Sequence, residues 1–395
     1  MKILQLCFTP IKNSKGGTEK VFCNMANYMC QKHNVMNVCC DGINGRPLYP
    51  LNKSVELYDL LDKKINFPIH IKLKTEITRI ARKLKLTQRE SPKNIYKINR
   101  IKNKFTNLVD EFDPDIIICY QASTLYLINE IGFNLSKVIV MFHTKLKVNK
   151  LTYNEKLCLK KVGAIQVLLD SAKILLNKLG YTNVVVIGNS VDAPLNSSID
   201  LLNKENIICY VGRMDKKIKR PHLLVEAFSL ISEKYPDWKV IFYGGNSRPK
   251  GYQDYLEKYL IENNLDKNII FYGFCDDVLE KLRNASIFVV TSKEEGFCIA
   301  LLEAMRMGLA CIGFKSCSSV NELIVDNVNG YLCEDNIKSL AQRIDDLIID
   351  KNQRILFGEK GMTMAEKYNE RVIFEQWNVL LEKVALSNKN NQLIN

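Results

Sequence analysis

Long apolar runs are missing from this chain. No uninterrupted hydrophobic segment approaches the roughly 20 residues a membrane-spanning helix needs, although 47% of the residues are hydrophobic and 25% are charged, the balance of a folded soluble protein. The first residues, MKILQLCFTPIKN, lack the apolar stretch and small-residue cleavage site of a secretory leader, and read instead as a buried strand. Paired cysteines are missing as well: thirteen cysteines are scattered along the chain without a C-x-x-C. Many lie in apolar contexts, such as Cys7, Cys119, Cys209 and Cys311, where the thiol behaves as a small hydrophobe. A zinc or disulfide framework is thereby disfavoured, and a reducing cytoplasm is expected.

Acidic residues are scarce in one particular stretch. Between Lys63 and Lys104 fourteen Lys and Arg face only Glu76 and Glu90, a net of +12 in a chain whose total is +13. Ile77, Ile80, Ala81 and Leu84 recur there at helical spacing, which predicts one or two basic amphipathic helices. Two readings stand: a solvated helix face, or a surface for anionic lipid head groups, where each such charge contributes about 1 kcal/mol. Aromatics are nearly absent from the stretch, and no helix-turn-helix, RNA-recognition or finger motif accompanies it, so nucleic acid is not the expected partner. An anionic membrane surface met through residues 63–104 is.

With 395 residues the chain is long enough for two domains. Short β-branched runs alternate with helical patterns throughout: MKILQLCF, VMNVCC, DIIICY, KVIVMFH, AIQVLL and VVVIG first, then NIICYVG, WKVIFYGG, IIFYGF, SIFVVTS, ACIGF and GYLC. This is the α/β pattern of parallel strands with crossover helices, read twice. The polar segment 190–206 is the natural linker. The expected division is a first domain over 1–195, a second over 196–370, a helix over 371–386 and a disordered tail over 387–395. Ligands of such sheets bind beyond the carboxyl ends of the strands, where strand order reverses, so two facing domains would share a cleft.

Four constellations fit that expectation. Gly16 and Gly17 follow the first strand and open a helix, where close backbone approach and a helix N-terminus favour an anion; neither a dinucleotide fingerprint nor a P-loop is formed there. Arg213 leaves the strand ending VGR, and Lys219 follows before the next helix; a guanidinium fork and a point charge suit a diphosphate. A solvated basic loop is the alternative. Glu295 and Glu303 stand eight positions apart in EEGFCIALLEAM, about 12 Å if helical throughout. Carboxylates that share a glycoside hydrolysis sit roughly 5 to 9.5 Å apart, so this pair suits two separate parts of one extended ligand. The amides of Gly296, Phe297 and Cys298 are expected to form an anion site between them. His143 ends an apolar strand at the same sheet edge, with a structural role as its alternative. Asp113 to Asp115 have a D-x-D form but fall at the amino edge of the sheet, and no metal is expected.

The segment EEGFCIALLEAMRMGLACIGF resembles the E-x7-E motif of retaining glycosyltransferases built from two Rossmann-like domains facing across a cleft, the GT-B architecture. Together with VGRMDKKIKRPHLLVEAF, GGTEKV, FH and VIGNSVD it is similar to glycosyltransferase family four, over residues 16 to about 330. The resemblance implies a role for each candidate. Gly17 would meet the donor phosphate through its backbone. Arg213 and Lys219 would stabilise the leaving diphosphate in place of a metal. Glu295, with the amides of Gly296 to Cys298, would hold the sugar hydroxyls. Glu303 would bind the ribose with Leu302 packed beside it, and His143 would lie near the reacting face of the sugar. Configuration would be retained without an enzymic nucleophile. The implied enzyme takes a nucleotide-sugar donor, UDP-sugar favoured, and a lipid-linked saccharide acceptor such as a lipopolysaccharide, O-antigen or capsule intermediate. It needs no cofactor and works peripherally at the cytoplasmic face of the membrane. A nucleotide-sugar epimerase and a non-catalytic nucleic-acid-binding protein of the same fold are the alternatives. Four positions depart from the family pattern: Lys219-Arg220 stands for its usual K-G, Cys298 follows EGF, Gly188 precedes Asn189-Ser190, and NSRPKG follows the second glycine pair.

Overall fold

The computed structural model describes residues 1–395 except Lys15 and 144–147, 192–198, 246–248 and 393–395, with side chains described to residue 386. The chain divides into two compact units, Met1–Gly188 with Phe374–Asn395, and Asn189–Ile373. The expected boundary at 195 falls outside the described residues. In the first unit β1 (Lys2–Leu6), β2 (Asn34–Cys39), β3 (Glu56–Asp59), β4 (Ile116–Cys119), β5 (Val138–Phe142), β6 (Ala164–Val167) and β7 (Val184–Val186) form one sheet in the order β3-β2-β1-β4-β5-β6-β7. Every pair is parallel. In the second unit β8 (Glu205–Val211), β9 (Lys239–Tyr243), β10 (Ile269–Gly273), β11 (Ala285–Val290), β12 (Ala310–Phe314) and β13 (Gly330–Cys333) run in the order β10-β9-β8-β11-β12-β13, again parallel.

Helices cover both faces of a parallel sheet, so its central strands bury most of their side chains and read as continuous apolar runs. Ile116 to Cys119 in β4 are fully buried, as are Ile287, Val289, Ala310, Cys311 and Ile312 in β11 and β12. Twelve of the strands coincide with the apolar runs above. The thirteenth, β3, is an edge strand of sequence ELYD without one. Three buried polar residues interrupt the first sheet, Gln5 of β1, Asn37 of β2 and Gln166 of β6, and the Gln5 amide donates to Asn37 Oδ1 at 2.9 Å. Tyr120, directly after β4, donates its hydroxyl to Gln5 Oε1 at 2.5 Å.

Strand order reverses between β1 and β4 in the first sheet and between β8 and β11 in the second. At each of these two places the loops leaving neighbouring strands splay to opposite sides and open a crevice. The helix Glu370–Gln392 extends beyond the expected 371–386. Its Phe374 stacks on Tyr28 at 3.9 Å, and Trp377, Leu381 and Val384 are buried in the first unit. Asp113 caps the helix Pro92–Phe112 in the left-handed conformation and Asp115 accepts from the Lys2 amide at 2.8 Å, so this acidic pair ties the amino edge of β4 to β1. Gly244, just past β9, has φ +130°, and a side chain there would strike the carbonyl of Gly212 past β8. That close approach lets the two strand ends run side by side, which a residue with a Cβ forbids.

Candidate active site

Arg213, Lys219, Glu295, Gly296, Phe297, Cys298, Leu302 and Glu303 all lie in the second unit, around its point of strand reversal. Gly16, Gly17 and His143 lie in the first.

The loop after β8 is folded by Asp215, which is buried. Its Oδ1 accepts from the amides of Lys217 and Ile218 at 2.9 and 2.8 Å, and its carbonyl accepts from the amides of Lys219 and Arg220 at 3.1 and 2.7 Å. An aspartate bonded to the backbone two and three residues on is a tight-turn former. The turn brings Lys219 back over the sheet edge. The loop after β11 is laced to it: Thr291 Oγ1 donates to the Lys219 carbonyl at 2.7 Å, and the Lys293 amide donates to the Ile218 carbonyl at 2.8 Å. Lys219 Nζ consequently lies 2.5 Å from Glu295 Oε1, with the two side chains 20% and 10% exposed. Ser292 Oγ donates to the same oxygen at 2.5 Å, and Ser319 Oγ donates to the Glu295 carbonyl at 3.1 Å.

Burial pulls the Lys219 ammonium down, but the Glu295 carboxylate outweighs it and holds the pKa above the ordinary lysine value. Lys219 is therefore charged at neutral pH. Removing one member of such a pair strands the other, at a cost of about 3–5 kcal/mol when fully buried. Arg213 is different. It is exposed, and among the described residues its guanidinium has neither an ion pair nor a hydrogen bond. Among the described residues, Lys219 is thus a committed cation of this crevice and Arg213 an uncommitted one.

The helix that follows is shorter than its sequence suggests. It spans Ile299–Arg306, and Cys298 ahead of it is left-handed at φ +64°. Phe297 packs edge-on against Tyr368 at 5.2 Å, Leu302 is fully buried and Glu303 is buried. Burial pushes the Cys298 thiol well up, so it stays neutral.

Arg220 is the feature that composition concealed. The basic run 216–220 admits a solvated loop, and Lys216 and Lys217 are indeed exposed. Arg220 instead crosses the sheet edge at φ +51°. Its Nε donates to the Thr291 carbonyl at 3.0 Å, its Nη1 pairs with Asp335 Oδ1 at 2.8 Å, and its guanidinium lies 5.2 Å from the Phe314 ring. Asp335 also accepts from Ser316 Oγ at 2.7 Å. One guanidinium thus joins the loops after β8, β11, β12 and β13. Arg220 and Cys298, two of the departures from the family pattern, both occupy left-handed backbone, where glycine is otherwise the easy choice.

In the first unit Gly16 precedes the helix Gly17–Met29. Glu19 folds back against it: Ser14 Oγ donates to Glu19 Oε1 at 2.6 Å, and a Cβ on Gly16 would meet Glu19 Oε2 at 2.6 Å. A carboxylate already stands where an anion is expected. His143 stacks on Tyr120 at 5.0 Å and 15°. Neither ring nitrogen has a hydrogen-bond partner among the described residues, and burial lowers the pKa from 6.5 to about 4. The imidazole is therefore neutral at pH 7. The basic loop after it, 144–147, and the loop 246–248 lie outside the described residues.

Residues 195–364 match the family model "Glycosyl transferases group 1". Anabaena HepE, solved in complex with UDP and glucose, superposes with a TM-score of 0.69 over 97% of this chain and 99% of that one, at 16% identity. The fold is GT-B. An uncharacterized glycosyltransferase of Haemophilus influenzae is 25% identical over 93% of this chain and 97% of its own length. The N-acetylgalactosamine-N,N'-diacetylbacillosaminyl-diphospho-undecaprenol 4-alpha-N-acetylgalactosaminyltransferase of Campylobacter jejuni is 24% identical over 78% of this chain and 71% of its own.

Asp215, Ser292, Ser319 and Asp335 carry the site's geometry without having stood out in the sequence. Only Asp215 had a local signal, an aspartate two residues past a strand-end glycine-arginine pair.

Two outcomes follow from these environments. Arg220→Gly and Arg220→Ala both lose the bridges to Asp335 and Thr291, but only alanine keeps the left-handed strain. Denaturant unfolding should find the glycine variant more stable by about 1 kcal/mol, and the reverse order would contradict the strained backbone. For His143 the folded pKa is depressed, so its contribution is fully present above pH 6.5 and is lost as the pH falls towards about 4, where the unfolded chain takes up a proton the folded one refuses. The stability gap between His143→Phe and the parent should shift in the variant's favour between pH 7 and pH 4.5, and a constant gap would contradict it.

Proposed function

We propose that the chain is a retaining, metal-independent glycosyltransferase moving a sugar from a nucleoside-diphosphate donor, UDP-sugar in preference to GDP-sugar, to a lipid-linked glycan of the bacterial surface. The observation that carries this reading is the meeting of Lys219 and Glu295 beyond the carboxyl ends of β8 and β11, beside the uncommitted Arg213. A diphosphate leaving group develops negative charge on its bridging oxygen. A guanidinium fork and an ammonium at that spot stabilise the charge. Glu295 exchanges Lys219 for the sugar hydroxyls as the donor enters. Glu303, on the following helix, takes the ribose hydroxyls. Attack from the face the diphosphate leaves, within a short-lived ion pair, retains configuration and needs no enzymic nucleophile.

The relatives support the donor and acceptor parts of this reading. HepE was solved with UDP and glucose, and the Campylobacter enzyme is named for an acceptor carried on diphospho-undecaprenol. No helix among the described residues is long and apolar enough to cross a membrane. We place the enzyme at the cytoplasmic face, held to anionic lipid by residues 63–104.

A screen of UDP- and GDP-sugars for hydrolysis without acceptor tests the reading. One UDP-sugar should be turned over, and Arg213→Ala and Glu295→Ala should each reduce the rate by about 10²–10³-fold. A parent enzyme that turns over no nucleotide sugar, or variants at full rate, would overturn it.

A further inference from the structure

The helix Ile69–Lys83 buries no residue at all. Amphipathic helices of folded proteins turn their apolar stripe inward, and this one does the opposite. Ile69, Leu73, Ile77, Ile80 and Leu84 recur at intervals of three and four and fall within one narrow arc of the helix surface. Their exposures are 75, 60, 66, 54 and 62%, and Leu86 just beyond is 76% exposed. The half-buried residues Ile71, Thr75, Thr78 and Arg82 lie on the opposite arc, towards the helix Pro92–Phe112. The stripe is therefore the outer surface of the first unit.

Cations border it. Lys72 and Lys83 flank one side and Lys74 the other, all exposed and all without an ion pair among the described residues. Glu76 is the helix's only acid, and Arg79 neutralises it at 2.6 Å. The possible occupants differ in what they can accept. Nucleic acid offers phosphates but no partner for five aliphatic side chains. A second copy would bring the same uncompensated lysines against these, in a chain of net charge +13. An anionic bilayer accepts both features at once, aliphatic side chains below the phosphates and lysines level with them.

We infer that this helix is an interfacial anchor, seated in an anionic phospholipid surface with Leu73, Ile77, Ile80 and Leu84 inserted among the acyl chains. This deepens the membrane contact proposed above from charge attraction to hydrophobic insertion. An acceptor carried by lipid, on which that reading rests, gives the anchor its use, but its lipid binding requires neither donor nor acceptor.

The full chain is tested by flotation with phosphatidylcholine vesicles, with and without phosphatidylglycerol, at low and high salt. The parent should float with the anionic vesicles. Leu73→Ser, Ile77→Ser and Ile80→Ser combined, all at exposed positions, should weaken that binding by about tenfold or more without lowering the unfolding temperature. Insertion is read directly by Ile77→Trp: Trp238 and Trp377 are buried and give a constant background, so anionic vesicles should shift the new emission to the blue, and brominated acyl chains should quench it. Serine variants that float like the parent, or emission from Ile77→Trp that vesicles leave unchanged, would overturn the proposal. So would self-association of the parent, or its binding to RNA, if the serine variant abolished either while flotation persisted. A parent that floats yet turns over no sugar nucleotide would leave the anchor standing and remove the transferase reading.

Discussion

The contact between Lys219 and Glu295 is what the second unit is organised around. Neither residue reaches the other by sequence proximity or by lying on one element. Asp215 turns the first loop, Thr291 and Lys293 lace the second loop to it, and Arg220 ties both to the loops after β12 and β13. The outcome is an ammonium and a carboxylate held in contact at the place in the sheet where strand order reverses. A partly buried pair of this kind contributes little net stability. Its value lies in position: the ammonium is held and partly dehydrated at the crevice until a ligand's anion takes the place of the carboxylate.

The two units share one strand-order plan but place different groups at its reversal point. At the reversal point of the first sheet the buried polar groups are an amide pair, Gln5 and Asn37, a phenol, Tyr120, and an imidazole, His143, that burial keeps neutral. At the reversal point of the second they are Lys219, Glu295 and the Arg220–Asp335 bridge, with Arg213 exposed beside them. Charges are present in both: Lys12 pairs with Asp59 at 2.9 Å in the first unit, as Lys219 does with Glu295 in the second.

Most of the fold was legible because parallel strands covered on both faces must be apolar throughout, and such runs stand out from the helices between them. β3 escaped because an edge strand carries no such demand, and ELYD has no run to find. Arg213, Lys219 and Glu295 were legible because each lies in a loop leaving the carboxyl end of a strand that reads as an apolar run. The left-handed backbone at Arg220 and Cys298 was not legible, because it leaves no mark on a residue that is not glycine. Asp335 and Ser319 were invisible for another reason: they reach the site only through the convergence of loops from different strands. The basic helix is the converse case. Its periodicity was plain, but the direction in which its apolar side faces depends on packing that no local pattern encodes.

The central claim is that Glu295 holds Lys219 in place of a diphosphate. Calorimetric titration of UDP into the parent, Lys219→Ala and Glu295→Gln tests it most directly. Lys219→Ala should weaken binding by about tenfold or more, as loss of a charged hydrogen-bond donor does. Glu295→Gln frees the ammonium from its competitor and should bind UDP at least as tightly as the parent. If Glu295→Gln instead weakened UDP as much as Lys219→Ala does, the carboxylate would be supporting the phosphate site rather than competing for its ammonium, and the central claim would be wrong.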